Sequence, residues 1–183
     1  MAPNVLASSD VVANYTLKVT TLGNVPSTLS LAAIAPPGIT VTLESSQFTT
    51  AAPTVPTASI HVDPSTSPGV YGVNVTATGG GETYSTIVNL RVVQFLVVTV
   101  GTQFLPRNIT VPISSTVYWI RLNGQLNEYD FGQHEIEFVN SSLPNSPALQ
   151  QWDAYSYQFT SAGDYPYYCV FHVFMRGDVV VTP

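Results

Sequence analysis

Residues 165–181 read YPYYCVFHVFMRGDVVV and contain several of the chain's rarest side chains. The whole chain has one Cys, three His and two Met, yet Cys169, His172 and Met175 fall within a short segment of it. A thiolate, an imidazole and a thioether form a soft donor set, which favours copper over Mg²⁺ or Ca²⁺. Because the spacing is Cys-x2-His-x2-Met, one loop can turn all three side chains towards one point. This stretch therefore predicts a copper site.

A second imidazole would complete a His₂Cys plane with a weak axial Met. His134 is the candidate, since FGQHEIEF at residues 131–138 places it where a loop enters an alternating strand. Its neighbours Gln133 and Glu135 are expected to surround the ligands. A buried, ionised carboxylate beside a thiolate is costly, so Glu135 is expected to face water or to be protonated. The third histidine, His61, has no other ligand type near it in sequence and is expected to face solvent.

Composition and charge exclude several classes of protein. Charged residues make up 9% of the chain, and five Lys and Arg against eleven Asp and Glu give a net charge of -6. Nucleic-acid binding requires clustered Lys and Arg and is therefore excluded. No run of eighteen apolar residues is present, so no membrane span is expected. The single Cys excludes an intrachain disulfide.

Features of the surface and of the N-terminus indicate export. The N-terminal residues MAPN lack the basic and apolar segments of a signal peptide, which predicts that any export signal or membrane anchor has been removed. The polar residues are mostly uncharged, and four N-glycosylation sequons occur. An extracellular, cell-surface or periplasmic protein is predicted, with candidate glycosylation at Asn14, Asn74, Asn108 and Asn140.

The apolar residues recur with a period of two, and helical spacing is not sustained anywhere in the chain. Alternating runs such as residues 70–76 and 83–90 are separated by Gly and Pro turns such as residues 64–69 and 79–81. The pattern restarts near residues 92–96. An all-β protein is therefore predicted, with two β-sandwich domains at residues 1–94 and 95–183.

The N-terminal half resembles the immunoglobulin-like domains of extracellular proteins. The resemblance lies in GNVPST at residues 23–28, APPGITV at residues 35–41 and SPGVYGVNV at residues 67–75. It implies an immunoglobulin-like sandwich and an extracellular location, and it implies no activity.

The C-terminal half resembles the cupredoxins, the small blue copper proteins. The resemblance lies in FLPRNITV at residues 104–111, in VYWI at residues 117–120, in the order of one distant His before Cys, His and Met, and in the Met-Arg-Gly ending before a Val-rich strand. It implies a Greek-key sandwich with one type 1 copper per chain, held by His134, Cys169, His172 and Met175.

The same resemblance implies that His172 presents its ring edge at the surface, within an apolar docking patch. No acid–base pair or nucleophile–base arrangement accompanies the motif, which favours electron transfer between redox partner proteins over enzymatic catalysis.

Two alternatives stay open: a subunit of a surface layer or filament, and a copper storage or delivery protein. The oligomeric state is left open. The segment at residues 124–131 is long for the family and predicts a lid or a partner contact. The apolar docking patch expected around His172 consists of Val170, Phe171, Val173 and Phe174.

Overall fold

The computed structural model describes residues 5–9, 13–16, 28–49, 57–122 and 132–183. These residues form strands, turns and loops and no helix, which confirms the predicted all-β class. None of them forms a helix of the length and apolar character needed to cross a membrane. The chain divides into two compact units, Met1–Val92 and Val93–Pro183. The segment at residues 124–131, predicted to be a lid or a partner contact, lies outside the described residues.

The first unit contains two sheets. One has the strand order β1-β8-β7-β3-β5 and the other the order β2-β6-β4. β1 runs parallel to β8, and the other pairs are antiparallel. The strands are β1 (Val5–Ala7), β2 (Ala13–Thr16), β3 (Thr28–Ile34), β4 (Ile39–Leu43), β5 (Gln47–Thr49), β6 (Thr57–Val62), β7 (Gly69–Gly79) and β8 (Glu82–Val92).

Local sequence explains the long β7–β8 hairpin. Gly80 and Gly81 form its two-residue loop, with φ values of 60° and 86°. Positive φ at both positions matches a two-residue turn whose twist suits the flanking strands, and glycine adopts that conformation without a steric penalty. In β3, buried Leu29 and Leu31 alternate with exposed neighbours, so one face of the sheet packs inward.

The second unit also contains two sheets. The orders are β10-β9-β12-β14 and β11-β16-β15-β13. β9 runs parallel to β12 and β11 runs parallel to β16, while the remaining pairs are antiparallel. The strands are β9 (Phe95–Val100), β10 (Gln103–Leu105), β11 (Asn108–Pro112), β12 (Thr116–Arg121), β13 (Ile136–Phe138), β14 (Ala154–Gln158), β15 (Gly163–Cys169) and β16 (His172–Thr182).

Aromatic side chains fill the core of the second unit. Trp119 is fully buried, and its ring lies edge-on to Tyr167 at 5.5 Å and to Phe138 at 6.0 Å between centroids. Edge-to-face pairs of this kind add to the stabilisation from burial. Cys169 and Met175 belong to the same buried cluster, so this core supports the predicted ligands.

Both units contain the same local motif, Ser-x-Gly-x-Tyr. The Tyr71 hydroxyl donates to the carbonyl oxygen of Ser67, and the Tyr165 hydroxyl donates to that of Ser161, at 2.7 and 2.8 Å. In each case the intervening glycine lies against the Tyr ring. Such a bond ties the start of the strand to the main chain just upstream of it.

Candidate metal centre

His134 is held by main-chain pairing just before β13. Its amide donates to the Leu149 carbonyl at 3.3 Å, and the Leu149 amide donates back at 2.6 Å. Two residues on, the Ile136 amide donates to Ser146 Oγ at 2.8 Å. These bonds anchor the segment before β13 against residues 146–149, and the His134 side chain is fully buried.

Cys169 and His172 flank a tight turn of two residues. Cys169 ends β15, His172 begins β16, and the two face each other as a register pair. Cys169 also pairs with Ile136 of β13. The β13–β15 pairing therefore brings the buried His134 segment to the start of the turn.

A three-residue bulge follows His172. Tyr168 pairs with Arg176, but the next residue, Cys169, pairs with His172 instead of Met175. Residues 173–175 thus have no opposite residue on β15, and inward alternation resumes with Met175, which is 2% exposed. The sequence predicts one loop from Cys to Met; the structure has a two-residue turn and a bulge inside β16, because the main chains of Cys169 and His172 already pair.

An arginine spans this bulge. Arg176 Nε donates to the Val173 carbonyl oxygen at 3.2 Å. The bond closes the bulge just before β16 resumes regular pairing. Sequence reasoning gave Arg176 no role at the site, and the only available signal was its position directly after Met175.

Three donor atoms converge at this turn. Cys169 Sγ lies 3.5 Å from His134 Nδ1 and 3.6 Å from His172 Nδ1, and one donor atom from each residue lies within 4.8 Å of the others. Both imidazoles therefore present Nδ1 to the sulfur. His134 and Cys169 are fully buried, whereas His172 is half-buried.

The donor set fits copper. Two imidazoles and one cysteine sulfur form the group, and no carboxylate belongs to it. Copper is bound by this combination in His₂Cys sites, whereas hard cations prefer oxygen ligands. Met175 lies in the same buried cluster as Cys169, so the core of this unit also contains a thioether.

Gln133 and Glu135, the residues on either side of His134, differ in their exposure to solvent. Gln133 is exposed, and Glu135 is half-buried between the buried His134 and Ile136. Tyr168 has a raised pKa, mainly because its phenol is bonded to Glu137, and the charge on Glu135 adds to this effect. Both carboxylates therefore lie on the outer side of the sheet.

The main chain of Glu135 supports the turn directly. Its carbonyl oxygen accepts a bond from the Val170 amide at 3.2 Å. The segment carrying His134 and the turn carrying Cys169 and His172 are thus joined by a main-chain bond.

Three of the four residues of the expected docking patch are strongly exposed. Phe171 is 50%, Val173 61% and Phe174 70% exposed, while Val170 is half-buried. The Phe174 ring lies edge-on to the His172 ring at 6.1 Å between centroids. Phe171, Val173 and Phe174, here called the apolar rim, are the exposed chain neighbours of the half-buried His172.

The other predicted residues lie away from the donor group in the chain. His61 is exposed on β6. Asn14 lies in β2, Asn74 in β7 and Asn108 in β11, while Asn140 lies in a turn after β13.

Comparison with known proteins identifies the second unit. The model of the family described as copper binding proteins, plastocyanin/azurin family, matches residues 92–182. Amicyanin from Paracoccus denitrificans is 37% identical over 75 residues, covering 39% of this chain and 52% of the amicyanin. Amicyanin from Paracoccus versutus is 32% identical over 83 residues, covering 43% of this chain and 58% of the amicyanin. The chain spans about half the length of these curated relatives.

Solved structures match about half of the chain. A purple cupredoxin from Nitrosopumilus maritimus is 25% identical, with a TM-score of 0.42, covering 49% of this chain and 100% of that one. A reduced mutant of amicyanin is 33% identical, with a TM-score of 0.41, covering 48% of this chain and 81% of that one. The family match and the soft donor group agree on copper as the cofactor, as the sequence predicted. The second unit is therefore a cupredoxin domain, matched by the model of the plastocyanin/azurin family of copper-binding proteins.

Proposed function

We propose that the second unit carries single electrons between redox proteins through one copper ion. The ligands in this proposal are His134 and His172 through Nδ1, Cys169 as thiolate, and Met175 as a weak axial ligand. The observation that carries the proposal is the approach of both Nδ1 atoms to one buried sulfur, at 3.5 and 3.6 Å. Copper in such a site supplies the chemistry by accepting and returning one electron.

The protein's part is to hold the donor atoms still. His134 is fixed by its pairing with Leu149, and Cys169 by its pairing with Ile136. The bond from Val170 to Glu135 joins the two segments. A ligand frame locked by main-chain bonds limits movement between oxidation states, which favours fast electron transfer over substrate chemistry.

We assign docking of redox partners to the apolar rim. Exposed apolar patches commonly mark interaction surfaces, and the residues of this patch flank His172, which has the more accessible of the two imidazoles. A partner covering Phe171, Val173 and Phe174 would approach the edge of His172 directly. The partners in this proposal are proteins, since the net charge of -6 argues against nucleic acid.

The first unit is proposed to be an immunoglobulin-like domain of an extracellular or periplasmic protein. Its first strand runs parallel to its last, β7 and β8 form a hairpin, and Tyr71 forms a corner at the start of β7. The strand orders resemble those of the two immunoglobulin sheets. These features support the proposal, as does the low content of charged residues.

The test is titration of the purified chain with Cu(II), followed by visible spectroscopy and voltammetry. Expected are one equivalent of bound copper, intense sulfur-to-copper absorption and a reversible one-electron wave. Cys169→Ser is expected to abolish the absorption, while His61→Ala, the matched control on β6, is expected to retain it. Copper bound without a reversible wave and exchanged rapidly would favour storage or delivery. No specific copper binding would leave the structural-subunit alternative.

A further inference from the structure

The four sequons have different backbone conformations. Asn14, Asn74 and Asn108 lie in strands β2, β7 and β11, where their main chains pair with Ser59, with Ile34 and Ile87, and with Asp178. In a strand, residues i and i+2 lie on one face about 6.6 Å apart. At Asn74 and Asn108 the extended backbone therefore sets the Asn and the third sequon residue apart by this spacing.

Asn140 lies instead in a turn that folds the sequon onto itself. Its Oδ1 accepts bonds from the Ser142 amide at 3.1 Å and from the Ser142 hydroxyl at 2.8 Å. The Leu143 amide donates to the Asn140 carbonyl at 3.1 Å and closes the turn. Residues 139–142 are exposed, so the carboxamide and the hydroxyl are presented together to solvent.

We propose that Asn140 is the site at which the folded protein accepts an N-linked glycan. The donor class is an oligosaccharide on a polyprenyl pyrophosphate. Asn140 Nδ2 forms a bond to C1 of the first sugar, the bond from C1 to the pyrophosphate oxygen breaks, and the lipid pyrophosphate leaves with the electron pair. The proton lost from Nδ2 passes to a carboxylate of the transferase.

The turn assists this step in two ways. Both donors from Ser142 bind the carboxamide oxygen, which makes the Nδ2 proton more acidic and leaves the nitrogen on the side away from those donors. The Asn74 sequon differs in the partner of its hydroxyl. Thr76 Oγ1 donates to the Ala32 carbonyl oxygen at 3.5 Å. Asn74 also lies in a strand paired on both sides, so a transferase would have to strip it from the sheet.

A glycan at Asn140 is compatible with the metal centre. His134 precedes β13 and Asn140 follows it, so the two lie at opposite ends of that strand. The apolar rim lies at the His134 end, beside Cys169. The glycan would therefore be attached at the end of β13 away from the His134 segment.

The test is transfer to the purified, folded chain by an oligosaccharyltransferase supplied with a lipid-linked oligosaccharide, with occupancy of each sequon read by mass spectrometry. Two synthetic peptides, residues 104–114 with the Asn108 sequon and residues 136–146 with the Asn140 sequon, measure how well each sequon is accepted without the fold. In the folded chain, occupancy of Asn140 is expected to exceed that of Asn74 and Asn108 at least tenfold, whereas the two peptides are expected to be accepted comparably. Ser142→Ala is expected to abolish transfer at Asn140, and Ser142→Thr to retain it.

Two results would overturn the proposal. One is equal or higher occupancy at Asn74 or Asn108 in the folded chain. The other is absence of transfer to Asn140 in the folded chain, whether or not its peptide is accepted. Unfolding midpoints of both Ser142 variants show whether the loss follows the missing hydroxyl or a disturbed fold.

Discussion

The sulfur of Cys169 lies 3.5 Å from Nδ1 of His134, although 35 residues separate them along the chain. The pairing of Ile136 with Cys169 produces this approach, and the bond from Val170 to the Glu135 carbonyl reinforces it. The short Cys–His–Met segment supplies most of the proposed donors, but the β13–β15 ladder decides whether they meet the distant imidazole.

The two histidines are expected to differ in rescue by free imidazole. His172 is half-buried, whereas His134 is fully buried. Free imidazole from solution can therefore reach the position of the His172 side chain more easily than that of His134. In copper-loaded His172→Gly, imidazole is expected to restore the blue absorption at a concentration at least tenfold lower than in His134→Gly. Visible titrations measure this, with His61→Ala as the control. Equal rescue would contradict the assigned difference in access.

Arg176 is expected to act as a positioning residue for the bulge. Arg176→Gln removes the bond to the Val173 carbonyl, so residues 173–175 lose a constraint next to Met175. Altered visible band ratios and a shifted reduction potential are expected, with a stability loss of only about 0.5–1.5 kcal/mol because one exposed hydrogen bond is lost.

The control for this change is Arg107→Gln, which alters the charge equally at another exposed position of the same unit. Arg176→Lys, which retains the charge and a donor, is expected to restore the spectrum in part. If both glutamine variants shifted the potential equally, charge and not the bond to Val173 would be the cause.

Gly177 is expected to tolerate no side chain. It faces Tyr167 across β15 and β16, and an added Cβ would overlap the Tyr167 ring and hydroxyl and lie 2.7 Å from the Arg107 carbonyl oxygen. Gly177→Ala should cost about 1–3 kcal/mol, the usual range for overpacking a core. Urea unfolding of the second unit measures it. An unchanged midpoint would mean that the Tyr167 ring can move aside.

Asp178 is expected to make stability depend on pH. Burial raises the pKa of this carboxyl, the Asp164 carboxylate raises it further, and Oδ1 is buried without a partner. Because the folded-state pKa exceeds the unfolded one, ionisation destabilises the fold as pH rises through this range, and below both values the penalty is absent.

Asp178→Asn should therefore raise the unfolding midpoint at pH 7 and have less effect at pH 3. Urea denaturation at both pH values checks the difference. In an Asp164→Asn background the gain at pH 7 should be smaller, since one repelling charge has gone. A gain of equal size at both pH values would point to packing instead of ionisation.

Much of the fold could be predicted from local patterns. Period-two alternation and Gly or Pro turns predict an all-β chain, and the alternating runs at residues 70–76 and 83–90 lie within β7 and β8. These signals are strong because a strand with one buried face must alternate, and tight turns need residues that adopt their backbone angles. Pairing partners between distant strands leave no such local signal.

The donor residues likewise carry a signal of their own, since Cys, His and Met are rare here and clustered. The bulge after His172 has no comparable signal. Its three extra residues exist because Cys169 pairs with His172 while Tyr168 pairs with Arg176, and such a register shift depends on both strands together.

The amino-acid sequence by itself therefore determined the all-β class, the chemistry of the donors and the choice of copper, since these follow from side-chain type and local spacing. Only the tertiary structure decided that His134 meets Cys169, that Glu135 lies on the outer side of its sheet, and that Asn140 alone of the four sequons lies in a turn. The physical reason is that main-chain hydrogen bonds between strands far apart in the chain set the register, and register decides which side chains face each other.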